Sequence, residues 1–258
     1  MNDTDLIFVF LPGLFLAILV FVWLGRRIGA ERSREETERE RVGLVTVETA
    51  IYALLALMIA FTFSGATSRF DTRRAQTVQE ANAIGTAYLR LDLLPAAAQP
   101  ALREKFRAYT DERMAVYRAL PDTEASNVHA ASAVALQTEI WNDALAALRG
   151  ASPQASLLLI PALNDMIDIT TTRAIALRTH TPPVILAALV VLTLICSLLV
   201  GYGLAGGKPF ATNLHMTGFA LMMTVTLYVI LDLDHPRVGL IRLDYVDQAM
   251  ADVRAGMK

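Results

Sequence analysis

The chain has 258 residues, of which 54% are hydrophobic and 19% are charged, and its formal net charge is −2. Soluble domains carry about 25% charged residues, and the mean hydropathy of this chain is +0.43. A slightly acidic and strongly apolar chain is not typical of a general nucleic-acid-binding protein, so we expect no nucleic-acid partner.

Charge is missing from four long apolar blocks. They cover residues 6–24, 44–63, 182–206 and 209–231, and only the second contains a charged residue, Glu48. About 20 apolar residues in a helix cross a hydrocarbon core of about 30 Å, and backbone amides in lipid must be satisfied within the segment. The sequence therefore predicts an all-α, multi-pass membrane protein with four transmembrane helices and the lipid bilayer as its first partner.

The polar part of the chain lies mainly between the second and third spans. We divide the chain into residues 1–65 (two spans and a charged connecting loop), 66–181 (a helical extramembrane domain), 182–235 (two more spans) and 236–258 (a short tail). The polar domain has twelve Lys and Arg against twelve Asp and Glu, so it is electrically balanced.

Apolar residues recur at helical spacing from Val78 to Leu91, so the second span is expected to continue as one long helix that Pro95 stops. A further helix is expected over residues 99–120, and another runs to residue 148 after a turn and cap at residues 121–122. A serine cap and a proline at residues 152–153 begin a helix that continues through residue 178. In the tail, an extended piece is expected to precede a small helix from residue 244. In the helix over residues 99–120, Phe106, Tyr109, Arg113 and Tyr117 share one face. Pro161 is expected to kink the helix that contains it.

We find no sequence pattern typical of an enzyme. The single cysteine, Cys196, lies in the third span, no cysteine–histidine spacing suits a metal, and the histidines have no nucleophile at a recognisable spacing. Residues 201–206 match GxGxxG but follow an apolar span, which favours a helix end and a tight hairpin over a nucleotide site. We expect no catalytic residue, no metal site and no cofactor.

One face of the second span carries small or polar residues. They are Thr49, Ala53, Ala56, Ala60 and Ser64. Such a stripe indicates either close helix packing or a pore wall, in which Leu57 and Phe61 beside the stripe would form apolar constrictions that gate by dewetting. The sequence alone leaves both interpretations open.

Charged residues at the span ends are candidates for ion or gating contacts. Glu48 lies about one turn inside the second span, where interfacial snorkelling is equally consistent with the sequence. Asp232 and Asp234 end the fourth span, although acidic residues at a helix C-terminus oppose the helix dipole. We expect an interhelical partner, a cation or hydration to stabilise them.

Residues 59–95 read IAFTFSGATSRFDTRRAQTVQEANAIGTAYLRLDLLP, and LDLDHPRVGLIRL follows the last span. These stretches resemble bacterial bestrophin-like membrane proteins. The resemblance implies a ring-shaped homo-oligomer, generally a pentamer, with an axial pore for small inorganic ions and a neck lined by the second span. On this sequence the neck would be Ala53, Leu57 and Phe61, and Arg69 matches a family arginine, whereas Thr62 and Asp71 depart from the family pattern.

The leading hypothesis is an oligomeric channel or channel-like pore for small monovalent ions in the cell inner membrane. The residues that would line the pore are Thr49, Ala53, Leu57, Phe61 and Ser64. The first and third spans would pack facing the lipid, and the fourth span would support the pore-lining second span. The alternative is a non-conducting structural or signalling protein whose helical domain binds a partner. Short loops rich in Lys and Arg tend to stay in the cytoplasm, so the compact basic loop at 26–41 is expected there. The family resemblance instead implies that the helical domain is cytoplasmic. The two placements conflict, and the sequence leaves the orientation in the membrane open.

Overall fold

The computed structural model describes residues 3–32, 38–120, 122–205, 209–235, 239–241 and 247–258. Within these ranges the chain is helical and contains no strand, which confirms the predicted all-α class. The elements are α1 (Asp3–Arg32), α2 (Glu38–Leu89), a 3₁₀ turn (Arg90–Leu93), α3 (Gln99–Arg118), α4 (Thr123–Leu148), α5 (Pro153–Arg178), α6 (Pro183–Gly203), α7 (Pro209–Asp234) and α8 (Gln248–Gly256).

The predicted continuation of the second span is confirmed, because α2 is one helix of 52 residues. It ends at Leu89, six residues before Pro95, and the 3₁₀ turn fills part of the gap. The chain leaves its helical path before it reaches Pro95, because a residue that precedes proline avoids the helical region. Leu94 is accordingly extended, at φ −86° and ψ 159°. The predicted small helix from 244 begins instead at Gln248, and residues 242–246 lie outside the described part of the chain.

Both predicted helix caps are present. The Asp122 carboxylate accepts hydrogen bonds from the amides of Glu124 at 3.0 Å and Ala125 at 3.1 Å. Ser152 accepts one from the amide of Ala155 at 3.3 Å, with Pro153 as the first residue of α5. These caps satisfy amides that a helix start leaves without an intrahelical partner. α5 then runs as one helix through Pro161.

Four helical stretches are long and apolar enough to cross a membrane. They are Phe10–Glu31, Val42–Leu93, Pro153–Gly203 and Thr212–Asp234, and the third contains α6 after α5. The four predicted spans are confirmed by these stretches. The chain divides into two compact units, which we call the span unit (Met1–Ser68 with His180–His235) and the bundle unit (Arg69–Thr179 with Pro236–Lys258).

In the span unit, glycine allows α1 and α6 to approach closely. A Cβ placed on Gly25 would lie 1.9 Å from the carbonyl oxygen of Leu198, and one on Gly201 would lie 1.9 Å from that of Val22. Small residues commonly permit this backbone approach between membrane helices. The first and third spans, which the sequence assigned to lipid-facing packing, therefore pack against each other, and Gly201 of the GxGxxG pattern serves this contact.

The bundle unit has a core of apolar side chains from five helices. Fully buried members include Ile84, Phe106, Ile140, Leu163 and Met166. The last helix, α8, contributes to this core through Met250, which is 2% exposed, and its Arg254 binds the Asp111 carboxylate through Nε at 2.8 Å and Nη2 at 2.9 Å. Helix α8 is thus part of the bundle.

Candidate functional site

The span half of α2 buries a narrow stripe. Leu55, Thr62 and Ala66 are 4%, 7% and 0% exposed, and their separations of seven and four residues place them on one face of the helix. Most of the other large apolar side chains in this half of α2 are exposed. One face of this half of α2 is therefore buried and the opposite face is exposed.

All five residues predicted to line a pore are exposed. Leu57 is 51% and Phe61 is 70% exposed, and Thr49, Ala53 and Ser64 are also in the exposed class. With about 100° of rotation per residue, they lie roughly 120–180° around the helix from Leu55. The Thr49 hydroxyl donates a hydrogen bond to the carbonyl oxygen of Val45 at 2.7 Å, so its polar group is satisfied by its own helix.

Glu48 and Arg69 lie on the other side of α2. Glu48 precedes Leu55 by seven residues and Arg69 follows Thr62 by seven, so both project near the buried stripe, and both are half-buried. Within one chain, the geometry separates these two charged residues from the exposed face that carries Leu57 and Phe61.

Asp232 and Asp234 are each 1% exposed at the end of α7. The Asp234 carboxylate accepts a hydrogen bond from the Thr181 amide at 2.7 Å, in the connection between α5 and α6. Of the three reasons that the sequence left open for these acids, simple hydration is therefore wrong. For Asp234 a partner from another segment of the chain is present.

Two histidines flank Asp234. The rings of His180 and His235 stack with centroids 4.5 Å apart and planes 7° from parallel. Nδ1 of His180 lies 3.1 Å from the Asp234 carbonyl oxygen, and Nδ1 of His235 lies 3.0 Å from that of Leu231. The sequence placed both histidines at span ends, but their juxtaposition arises only from the fold.

The bundle unit contains a buried ionic cluster built around Glu80. The Glu80 side chain is 0% exposed, and those of Arg113 and Arg173 are 7% and 6% exposed. Nε of Arg113 donates to Oε1 of Glu80 at 2.5 Å, and Nη1 of Arg173 donates to Oε2 of the same carboxylate. One carboxylate thereby joins α2 to α3 and α5.

Neighbouring groups complete the cluster. The guanidinium of Arg173 lies over the Tyr117 ring, 3.8 Å from its centroid, and donates through Nη2 to the Thr77 hydroxyl at 2.9 Å. Nη2 of Arg113 donates to the Tyr117 hydroxyl at 2.6 Å. Cation–π contact and charge-assisted hydrogen bonds compensate the desolvation of the two arginines.

Burial opposes ionisation of the Glu80 carboxyl, but Arg113 and Arg173 outweigh it and hold its pKa below the usual value. Burial also raises the pKa of the Tyr109 hydroxyl, which accepts a hydrogen bond from Gln137 Nε2 at 3.0 Å. Glu80 is therefore anionic at neutral pH, with the guanidinium groups of Arg113 and Arg173 on its two carboxylate oxygens.

Sequence reasoning missed Glu80 and Arg173 altogether. Glu80 lies 33 residues before Arg113 and 93 residues before Arg173, so no local pattern connects the three residues. One signal was available, since Arg113 occurs on the same helix face as Phe106, Tyr109 and Tyr117, and a charged residue on an apolar face implies a buried partner.

Four apolar spanning helices define the class: the chain is a helical integral membrane protein. A family model described as the Bestrophin-like domain matches residues 13–246. The chain therefore belongs to the Bestrophin-like family, as its sequence resemblance predicted.

Solved structures show the same fold. Two single-residue variants of a bacterial bestrophin homolog from Klebsiella pneumoniae align with TM-score 0.69 at 16% and 17% identity, covering 95% of this chain and 98% of theirs. A further structure of that homolog aligns with TM-score 0.65 at 17% identity over 93% of this chain and 98% of its own. No curated protein sequence matches this chain significantly.

Proposed function

We propose that this channel-like membrane protein is a subunit of a homo-oligomeric pore for small monovalent ions, with α2 lining the pore. The observation that carries the proposal is the exposed face of α2, which lies opposite the stripe of Leu55, Thr62 and Ala66. Membership of the Bestrophin-like family and the fold shared with bacterial bestrophin homologs support the same function.

The composition of the exposed face favours neighbouring copies over lipid as its surroundings. Thr49, Ala53 and Ser64 are small, and small residues in membranes allow helix backbones to approach one another. Leu57 and Phe61 project from the same half of the helix, 51% and 70% exposed. Copies of α2 around a common axis would bring these side chains together as apolar constrictions, in a ring that the family resemblance makes a pentamer.

An apolar constriction would control flow through hydration. A narrow ring of Leu57 or Phe61 side chains can lose its water, and ions cannot cross a dry segment. No acidic or basic side chain lies among the five proposed pore-lining residues, so this neck would gate more than it would select. The charged residues Glu48, Arg69, Asp232 and Asp234 would contact ions or affect gating from outside the neck.

The bundle unit would lie outside the bilayer and surround the ion path as a vestibule. Its buried Glu80 cluster fixes the part of α2 beyond Arg69 against α3 and α5. We place the oligomer in the cell inner membrane, with lipid, other copies of the chain and small inorganic ions as its partners.

Reconstitution into a planar bilayer tests the proposal. The purified oligomer should carry current, and Leu57→Ala should change its conductance or gating, because it enlarges the constriction. Leu221→Ala is the matched control, since Leu221 is an equally exposed leucine on α7 at 54%. An intact oligomer that carries no current across varied salt and pH would contradict the proposal and favour the non-conducting structural or signalling alternative.

A further inference from the structure

His180, Asp234 and His235 form a compact group at one end of the span unit. One candidate ligand atom from each lies within 4.8 Å of those of the other two. His180 precedes α6, whereas Asp234 ends α7 and His235 follows it, so two segments that are distant in sequence contribute to one cluster. Two imidazoles and a carboxylate are ligands that divalent transition ions such as Zn²⁺ prefer.

Backbone carbonyls orient both rings. Nδ1 of His180 lies 3.1 Å from the Asp234 carbonyl oxygen and Nδ1 of His235 lies 3.0 Å from that of Leu231. A carbonyl accepts but cannot donate, so each contact places the ring proton on Nδ1 and the lone pair of the neutral ring on Nε2. Metal-binding histidines commonly have this arrangement, in which a carbonyl fixes the tautomer from behind.

The third group is a buried carboxylate whose direction is fixed. Asp234 is 1% exposed, and the Thr181 amide donates to its Oδ2 at 2.7 Å. A buried carboxylate is stable when it is paired or coordinates a metal, and the C-terminal end of α7 disfavours negative charge. A carboxylate oxygen held in this way beside two imidazoles is a common third ligand for Zn²⁺.

Access and spacing suit an ion that enters from solution. The His180 side chain is 38% exposed, so one edge of the cluster is open. Tetrahedral zinc with bonds of about 2.0–2.1 Å places its ligand atoms roughly 3.3 Å apart. Because each imidazole lone pair lies in the plane of its ring, binding of one ion requires the two rings to turn out of their parallel stacking as the ligand atoms close from within 4.8 Å to that spacing.

We propose that His180, Asp234 and His235 bind one divalent transition ion of the Zn²⁺ class, with water completing the coordination. No local spacing in the sequence indicates this site, because the two histidines are 55 positions apart and only the fold brings them together. The bound ion would tie the segment before α6 to the end of α7. This proposal does not depend on ion conduction, so an absence of current would leave it intact.

Isothermal titration of the untagged, full-length protein in detergent with ZnCl₂ tests the site. We expect about one Zn²⁺ per chain with a dissociation constant on the order of 1 μM or tighter, and at least a tenfold loss of affinity in His180→Gln and in His235→Gln. His215→Gln is the matched control, because His215 is exposed on α7 outside the cluster, and it should bind as the parent does.

A second readout separates lost binding from lost folding. Zn²⁺ should raise the melting temperature of the parent and of His215→Gln, but not that of His180→Gln, while the metal-free melting temperatures stay within a few degrees. Binding of fewer than about 0.2 ions per chain by the parent, or unchanged affinity in both cluster variants, would overturn the proposal. Preferential binding of Ca²⁺ would also overturn it, since imidazole nitrogen is a poor ligand for that ion.

Discussion

Replacing Glu80 with glutamine removes the only carboxylate that the described structure shows bridging Arg113 and Arg173. Glutamine keeps the size and shape of the side chain, so the change acts on charge and hydrogen bonding. Both guanidinium groups stay in place at 7% and 6% exposure. Two buried cations would then repel each other, because the carboxylate between them is gone.

The expected cost follows from that burial. Removal of one partner from a buried ion pair destabilises a protein by about 3–5 kcal/mol, chiefly because the remaining charge stays desolvated. The Tyr117 ring, 3.8 Å from the Arg173 guanidinium, retains part of the stabilisation, so we do not expect a larger loss. At about 2–4 °C per kcal/mol, the melting temperature of the bundle unit should fall by roughly 6–20 °C.

Tryptophan fluorescence can follow this unit separately. The chain has two tryptophans, and Trp141 packs against the bundle core. A Trp23→Phe background therefore leaves Trp141 as the only tryptophan reporter, and melting is recorded at a fixed scan rate. The control is Glu104→Gln, because Glu104 is 73% exposed and pairs with Arg107 at the surface, so we expect a shift within about 2 °C. A shift in Glu80→Gln as small as that of the control would refute the reasoning.

Two further predictions concern pH and helix packing. The pKa of Glu80 is lowered in the folded chain, so its contribution is complete above the unfolded pKa of about 4.3 and disappears as pH falls through the folded value. The melting-temperature gap between parent and Glu80→Gln should thus be constant from about pH 7 to 5 and narrow below about pH 4; a gap that widens there would contradict the assignment. Gly201→Ala should cost about 1–3 kcal/mol or prevent folding, since its Cβ would lie 1.9 Å from the Val22 carbonyl oxygen. Gly203→Ala, which meets nothing within 4 Å, should melt like the parent, and equal losses in both variants would argue against the close helix approach.

Local signals in the sequence predicted most of the fold. Charge-free blocks of sufficient length predicted the four spans, and side chains that satisfy nearby amides predicted the helix starts after Asp122 and Ser152. Both kinds of signal depend on residues close together in the chain. The end of α2 was misplaced because the restraint of Pro95 acts on Leu94, and a tight 3₁₀ turn intervenes before it.

Groups that meet across the fold could not be predicted in the same way. Glu80 contacts Arg173 across 93 residues, and His180 meets His235 across two spans. The periodicity of each helix shows which face is buried, but it does not show which buried face lies opposite. The pore-lining residues are an intermediate case, because helical spacing placed them on one face, whereas what that face contacts depends on other copies of the chain.

Modification of an introduced cysteine during current recording tests the proposed role of α2 most directly. Cys196, the chain's only cysteine, is first replaced by serine, and Leu57→Cys is then compared with Leu221→Cys as the exposed control on α7. A water-soluble, charged thiol reagent should change the current through the Leu57→Cys channel within seconds and leave the Leu221→Cys channel unaffected, because only a residue in the pore meets both water and the ion path. A current that is indifferent to the reagent at position 57, with modification verified by mass, would contradict the assignment of this face to a pore.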